Sequence, residues 1–436
     1  MKRFADKHIA IIGAGLTGQS CARYLRQQGA SLTIFDTRDS GAIGTNETII
    51  WGAVAEDALV GFDMVVVSPG VSLQTTAIQN ALDNGVPVVG DIELFVQAND
   101  VPLIAVTGSN GKSTVVSLIG HIFKQAGLKA EVIGNIGRPA LDALSANANE
   151  PLDWYVLELS SFQLESTHSL KANIASVLNI TEDHLDRHRT MEAYRAAKMR
   201  IYDGATHCIV NRDDPLCRTA QIDHAITFAL SPSPVGMSWN AANQKIYHNG
   251  VAVIDYSRCQ LIGEHNVLNV QVAYLITYLA GIESKTISAA IEQFKGIAHR
   301  YERVASASDV IWINDSKATN PGAALASIKA AKQQAIAELI VIVGGDAKGA
   351  DMSVLADALA DVKYVVALGR DGRQFLSMQP NSVYVDSLQQ AVKIASAMAQ
   401  PNDIVLLAPA CASLDMFENY QQRGDVFASA VQEVAA

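Results

Sequence analysis

The residues best placed to do chemistry are glycines that lead into a lysine and two hydroxyls. Thr107-Gly108-Ser109-Asn110-Gly111-Lys112-Ser113-Thr114 follows the apolar run VPLIAVTG (101–108) and precedes a stretch with helical apolar spacing. In such a loop the backbone amides cradle phosphates, the lysine pairs with the terminal phosphates, and Ser or Thr holds magnesium. The spacing departs from the full G-x-x-x-x-G-K-[ST] pattern, because Val106 stands where the first glycine would be. Gly108 gives a shorter G-x-x-G-K-S loop instead. A chance turn is the alternative, and it leaves the flanking strand and amphipathic helix unexplained. The spacing predicts an ATP site.

A second glycine loop, Gly13-Ala14-Gly15-Leu16-Thr17-Gly18, follows a strand, opens a helix, and has Asp36 at the end of the next strand. Glycines there let the backbone approach a diphosphate, and the helix N-terminus supplies N–H donors. A tight strand-to-helix turn without a ligand would use the same residues. A full dinucleotide fold needs two mononucleotide halves, and residues 1–92 are short for both. The expectation is one nucleotide, such as a UDP-sugar, across Leu16, Thr17, Asp36, Thr37, Arg38 and the loop Ser68-Pro69-Gly70.

Magnesium needs further ligands. Glu158 ends the strand WYVLEL (154–159), where open α/β sheets present such groups, and Asp183 and His184 follow the run IASVLNI (174–180). The stretch TEDHLDRHRTMEAYRAAKMR (181–200) is charged enough to be simply a solvated loop and helix face. Read alone, Lys198 within it is an exposed lysine beside Arg195 and Arg200.

These groups must be carried by elements, and the chain alternates short β-branched runs with helical stretches, the pattern of parallel α/β sheets. Runs at 8–13, 32–35, 64–68 and 87–90 form a first set. A second begins at 101–108, where Val115, Leu118, Ile119, Ile122 and Phe123 share one helical face, and continues through 154–159, 174–180 and 207–211. WNAANQKIYHNGVAVIDYS (239–257) predicts an antiparallel hairpin turning at Asn249-Gly250. Helices are expected over about 266–281 and 286–294. After 299–302 a third set runs through VIWIND, LIVIVGG, YVVALG, SVYV and DIVLLAP. The fold class predicted is α/β, with three domains in series: residues 1–92, Rossmann-like; 93–297, P-loop ATPase-like with a small antiparallel part; and 298–436, Rossmann-like.

Composition agrees with a folded enzyme of this size: 436 residues, 49% hydrophobic and 18% charged. A net charge of -11 disfavours nucleic acid as a partner. The five cysteines are scattered, with no metal-ligand spacing, which points to free thiols in a reducing cytoplasm. No apolar run approaches the roughly 18 residues that span a bilayer.

Together these motifs resemble the Mur ligase family. TGSNGKST, LELSSFQLE (157–165), LNITEDHLDRH (178–188), YRAAKMRIY (194–202), GEHNVLN (263–269), HRYE (299–302), NDSKATNP (314–321), GGDAKGAD (344–351) and PACASLDMF (409–417) occur in family order, spread over all three predicted domains. The likeness is to the members that add D-glutamate to UDP-N-acetylmuramoyl-L-alanine. It implies acyl activation by ATP: the substrate carboxylate attacks the γ-phosphate, and the incoming amine then displaces phosphate. Carried over, Lys112 and the loop from Gly108 to Thr114 would hold the phosphates, with Asn269, Arg300 and Asp315 as further ATP contacts. Ser113 and Glu158 would hold one of two magnesium ions and His184 the second. Lys198 would be a carbamate formed from CO2, reversing the sign of a cation that metal ions would repel. Gly15, Asn135 and His184 join the UDP-substrate contacts. Thr319, Lys348 and Ser413 would contact D-glutamate, with Tyr420 where the family often has an aromatic. Ser413 could equally be a helix N-cap with Asp415 in the first turn. The resemblance further implies a cytoplasmic protein, taken as a monomer. Another Mur-type or folylpolyglutamate-type ligase is the alternative. A dehydrogenase on the first loop would leave Lys112 without a role, and a P-loop switch would need no acyl acceptor.

Overall fold

The computed structural model describes residues 3–38, 48–147, 150–218, 225–307 and 309–435. Among the described residues four sheets form, most of their strands being ones that the apolar runs announce. The first is wholly parallel, with spatial order Thr48–Trp51, Ser31–Asp36, His8–Ile12, Met64–Val67, Val88–Gly90. That order is the dinucleotide-fold order short of its last strand, as the length of the segment suggests. The glycine loop sits at its switch point, between the strands His8–Ile12 and Met64–Val67.

The central sheet is also parallel, ordered Ile226–Phe228, His207–Asn211, Ile174–Val177, Leu103–Thr107, Trp154–Glu158, Ala130–Gly134. This order explains the site. The strand that feeds the phosphate loop is flanked by the strand ending at Glu158 and by the one leading to Asn179 and Asp183. Their carboxyl ends therefore open into one crevice. The helix Lys112–Gln125 buries Val115, Val116, Leu118, Ile119, Ile122 and Phe123 against this sheet and the helix Glu264–Leu279. Each such aliphatic side chain contributes roughly 1.5–3 kcal/mol when fully buried. The helix starts where it does because Gly111 takes φ +86°, and a Cβ there would strike the Asn269 side chain.

The predicted hairpin is a three-stranded meander, Met237–Asn240, Lys245–His248, Val251–Asp255, and its second turn is Asn249-Gly250, both residues at positive φ. Helices Glu264–Leu279 and Ser284–Gln293 follow. The third sheet is ordered Glu302–Ala307, Val310–Asn314, Ile404–Leu407, Leu339–Gly344, Tyr364–Leu368, Ser382–Val385. Its first pair is antiparallel and the rest parallel, so an edge strand unannounced by the sequence pattern begins this unit.

Two expectations need correction. The run 174–180 is a strand only to Val177, after which Leu178–Thr181 turns to meet the phosphate loop. Ser413 does not cap a helix: Met416 and Phe417 donate their N–H groups to its carbonyl in a turn, and the helix begins at Tyr420. Asn419 caps that helix instead, accepting from the Gln422 amide at 2.8 Å.

Candidate active site

One cavity of about 520 Å³ lies between the central and third sheets, and most of the predicted ATP and glutamate residues line it. The phosphate loop forms its floor. Ser109 is locked on two sides, its hydroxyl donating to the Thr181 carbonyl at 2.9 Å and meeting the Tyr194 hydroxyl at 2.9 Å. Asn179 accepts from the Asn110 amide at 2.9 Å and donates back to the Asn110 carbonyl at 3.1 Å. Asn179, Thr181 and Tyr194 thus hold the loop open. The reading of single motifs missed this role because the partners are some 70 to 85 positions away. Lys112 curls over its own loop, donating to the carbonyls of Gly108 at 2.7 Å and Ser109 at 2.9 Å. Burial lowers its pKa, with Arg300 adding to the effect, against the raising fields of Glu158 and Asp183.

Glu158 is buried at the crevice. Its Oε1 accepts from Asn135 Nδ2 at 2.9 Å, and its Oε2 has no hydrogen-bond partner. A buried carboxylate oxygen left unsatisfied is costly unless a cation completes it. Ser113 is buried and lines the same cavity. His184 holds a left-handed φ of +54°, and burial, with help from Lys348, Lys112 and Lys198, lowers its pKa against the field of Asp183. A neutral imidazole is the form that binds a metal. Among the described residues no three His, Cys, Asp or Glu side chains cluster tightly enough to hold a metal alone.

Lys198 is only 2% exposed, so the solvated-face alternative fails for it, and equally for Tyr194 and His188. Its Nζ donates to the Gly108 carbonyl at 2.9 Å and stands 4.6 Å from the Tyr194 ring centroid. Burial and then the Lys112 cation push its pKa well down, leaving the amine neutral more readily than any surface lysine.

From the other side come Arg300, Asp315, Thr319 and Lys348, with Asn269 from the central helix. Burial pushes the Asp315 carboxyl up to about 6, and the Ser327 hydroxyl donates to it. The sequence reading passed over Lys317. It lines the cavity with its Nζ 4.2 Å from the Tyr420 ring centroid, and burial pushes its pKa down to about 8. Tyr420 and the buried Ser413 are outside the cavity lining, one layer behind it. A second omission is Arg423, fully buried, whose guanidinium donates to Ser316 Oγ and O and to the Cys411 carbonyl at 2.8–3.1 Å. It clamps the loop bearing Lys317 and Thr319 to the loop bearing Ser413.

The first loop stands apart from this cavity. Gly13 has φ +98°, and a Cβ on it would meet the Ser68 side chain, so the 13–18 and 68–70 loops touch. Asp36 is engaged within the protein: Oδ2 accepts from the Ala14 amide at 2.8 Å and Oδ1 from Arg38 Nε at 2.8 Å. The Arg38 guanidinium holds this carboxyl far below the usual range. Arg38 and Leu16 face solvent, the latter 79% exposed, as do Gly15, Thr37 and Gly70. Gly15, Thr17, Pro69 and Gly70 sit on these two loops, and Thr37 on the turn that follows the strand Ser31–Asp36.

Comparison with known proteins gives matches along most of the chain. Residues 106–277 match the Mur ligase middle domain, 7–90 the MurD-like N-terminal domain of Mur ligases, and 299–411 the glutamate ligase domain of Mur ligases. The chain belongs to the Mur ligase family. It is 40% identical to the UDP-N-acetylmuramoylalanine--D-glutamate ligase of Haemophilus ducreyi over 440 residues, 99% of each chain. To the protein of that name from Shewanella oneidensis it is 41% identical, over 97% of this chain and 98% of the other. Among solved structures it resembles a pseudomurein peptide ligase type C from Methanothermus fervidus (TM-score 0.63, 17% identity, covering 98% and 100% of the two chains). It likewise resembles the UDP-N-acetylmuramate-alanine ligase of Thermotoga maritima (TM-score 0.62, 18% identity, 98% and 99%). At those identities the structures speak for the Mur ligase fold alone. No helix among the described residues is long and apolar enough to cross a membrane.

Proposed function

We propose that this Mur ligase joins D-glutamate to UDP-N-acetylmuramoyl-L-alanine at the expense of ATP, releasing ADP and phosphate in peptidoglycan precursor synthesis. The observation that carries the reading is the meeting of two half-sites in one cavity: a phosphate loop with Lys112 on one wall, and Lys348, Lys317 and Thr319 on the other. Full-length identity of about 40% to ligases of that name supports the choice of amino acid.

In this reading the loop amides and Lys112 bind the triphosphate. Asn269, Arg300 and Asp315 receive the nucleoside end. The oxygen of the L-alanine carboxylate attacks the γ-phosphorus, the bond to ADP breaks, and an acyl phosphate forms. The D-glutamate amine then attacks the acyl carbon, phosphate leaves, and the amine loses a proton. Lys348 and Thr319, which line the cavity, orient the glutamate carboxylates, charge-assisted donors being suited to that task, with Ser413 outside the lining. Glu158, whose free oxygen fits a cation, would hold magnesium with Ser113, and His184 a second ion. Magnesium there supplies charge neutralisation on the transferring phosphoryl group. Lys198 would act as a carbamate; as an ammonium it would sit among cations. The first domain would take the UDP moiety on Gly15–Thr17, Arg38 and Ser68–Gly70, with Asn135 nearer the muramoyl end. All five cysteines are free, which fits a reducing cytoplasm. We take the unit to be a monomer.

The test supplies Mg-ATP and UDP-N-acetylmuramoyl-L-alanine with D-glutamate, L-glutamate, L-alanine or diaminopimelate in separate reactions. Amide product with D-glutamate alone is expected. Absence of phosphate release with both substrates present would remove the reading.

A further inference from the structure

Arg187, in the charged 181–200 stretch, reaches the first domain and the central domain together. Its Nη2 donates at 2.9 Å to the Val71 carbonyl and at 2.9 Å to Glu165 Oε2. Its guanidinium also lies 4.9 Å from the centroid of the Phe162 ring. Each contact leads somewhere. Val71 ends the 68–71 turn, its amide bonded to the Ser68 carbonyl, and Ser68 donates to the Gly13 carbonyl of the first glycine loop. Phe162 meets the His184 ring edge-on at 4.9 Å, and His184 begins the single helical turn Leu185–His188 that carries Arg187. The other oxygen of Glu165 lies 3.5 Å from His188 Nδ1, and His188 in turn meets the Ser161 hydroxyl at 2.9 Å.

We infer that Arg187 is a positioning residue that couples occupancy of the first nucleotide loop to the geometry of His184, three residues away. The inference rests on the function proposed above. The turn 68–71 and the glycine loop at Gly13 are in contact, so a diphosphate settling on them fixes the Val71 carbonyl. A guanidinium can serve that carbonyl, Glu165 and the ring at once because its donors lie in a fixed plane whose face stacks on an aromatic. Once so held, it confines the left-handed His184 through both Phe162 and the short helical turn. Binding of the muramoyl nucleotide thereby prepares the Mg-ATP side. By linkage, Mg-ATP tightens the muramoyl nucleotide by the same factor.

The experiment measures the affinity of a non-hydrolysable Mg-ATP analogue with and without saturating UDP-N-acetylmuramoyl-L-alanine. It uses the full-length protein and Arg187→Met, which keeps an apolar stem against Phe162 and loses both hydrogen bonds. The wild type should bind the analogue more tightly when the muramoyl nucleotide is present, by a factor in the range of about 5–150 typical of coupled sites. In Arg187→Met that factor should fall towards one, while analogue affinity without the nucleotide stays within about twofold of wild type, as expected for a lost coupling rather than a lost contact. A merely structural role would weaken both measurements together. Should the methionine protein fail to fold, Arg187→Leu replaces it; it too keeps an apolar stem and has no donor for either acceptor, so it must also lose coupling. Full wild-type coupling in either folded variant overturns the inference. So does a wild type that makes the amide yet shows no coupling. A wild type that makes no amide refutes the proposed function instead.

Discussion

Lys198 shows how far burial changes what a side chain can be. An ammonium 4 Å from a second unit charge interacts by about 4 kcal/mol at an effective dielectric of 20. Here the Lys112 cation, the low exposure and the expected metal ions all act against the charged form. The tie to the Gly108 carbonyl and the Tyr194 ring offset part of this. A neutral amine is the form that attacks CO2, and the carbamate it yields is an anion suited to the place. Lys198→Ala is therefore expected to lose about 10²–10³ in turnover, the scale for one preorganised group at a site of developing charge. Wild-type enzyme freed thoroughly of CO2 should lose activity and regain it with bicarbonate, in step with a 13C carbamate signal from labelled bicarbonate. Unchanged activity without CO2 would leave Lys198 as an unmodified buried amine. Nothing local distinguishes it from Arg195 or Arg200 in the sequence; its burial comes from the fold of 107–109 over it. Lys112 is the opposite case: the neighbours that define its role are its own loop, and so the motif exposed it at once.

At the scale of elements, legibility tracked length and locality. The strands Leu103–Thr107 and Leu339–Gly344 are buried on both faces and read as continuous apolar runs. Thr48–Trp51 alternates exposed and half-buried residues, and Ile226–Phe228 is three residues long, so neither edge strand stood out. The glycine loops were plain because consecutive residues form them. Arg423 with Ser316, 107 positions apart, and Asn320 with Asn110, 210 apart, exist only once the topology joins them. The helix Asp91–Val96 carries another such case at the junction of the first and central domains. Asp91 is buried, its Oδ1 has no partner, and burial pushes its carboxyl up to about 6 despite donors from the Ile92 amide and Gln163. The folded-state pKa is raised, so the folded protein holds this proton where the unfolded chain has released it. Stability is therefore lost as pH rises from about 4 to about 6. Asp91→Asn removes the ionisation. The variant should gain on the wild type across that window, by an amount of the order of 2–3 kcal/mol, then hold the difference above it. Urea unfolding of both proteins from pH 4 to 7 measures this. A difference that does not change with pH would mean that Asp91 does not titrate there.

In the whole molecule the two domain junctions are built differently, and the difference assigns the motion. The helix Asp91–Val96, where the first domain passes into the central one, is held down through a buried carboxylate: Glu93 accepts from the amides of His168 at 2.7 Å and Ser169 at 3.0 Å and from the Ser169 hydroxyl at 2.7 Å. An exposed pair, Arg23 with Asp142 at 2.6 Å, adds little. Across the cavity, the third domain meets the phosphate loop through Asn320, whose Nδ2 donates to Asn110 Oδ1 at 3.1 Å and to Asp183 Oδ2 at 3.4 Å. Two such bonds beside a cavity of this size are easily exchanged for water, so opening for substrates and closing over the acyl phosphate is expected at this junction. Asn320 has a second duty, because its Oδ1 accepts from the Ala323 amide at 2.8 Å and caps the helix Pro321–Gln334. The two duties can be separated. Serine caps as well as asparagine but is too short to bridge, so Asn320→Ser should keep the unfolding temperature and lose the contact. Asn320→Ala should lose both, with a further stability cost of about 1 kcal/mol for the cap. If the bridge helps to set the closed geometry, the serine variant should show kcat/KM lowered by up to about 10²-fold, since an ångström of misplacement can cost that much. Thermal unfolding and steady-state kinetics on the two variants decide the matter. Equal kinetics in Asn320→Ser and wild type would show that closure is set elsewhere, leaving Asn320 as a helix cap that happens to touch the loop.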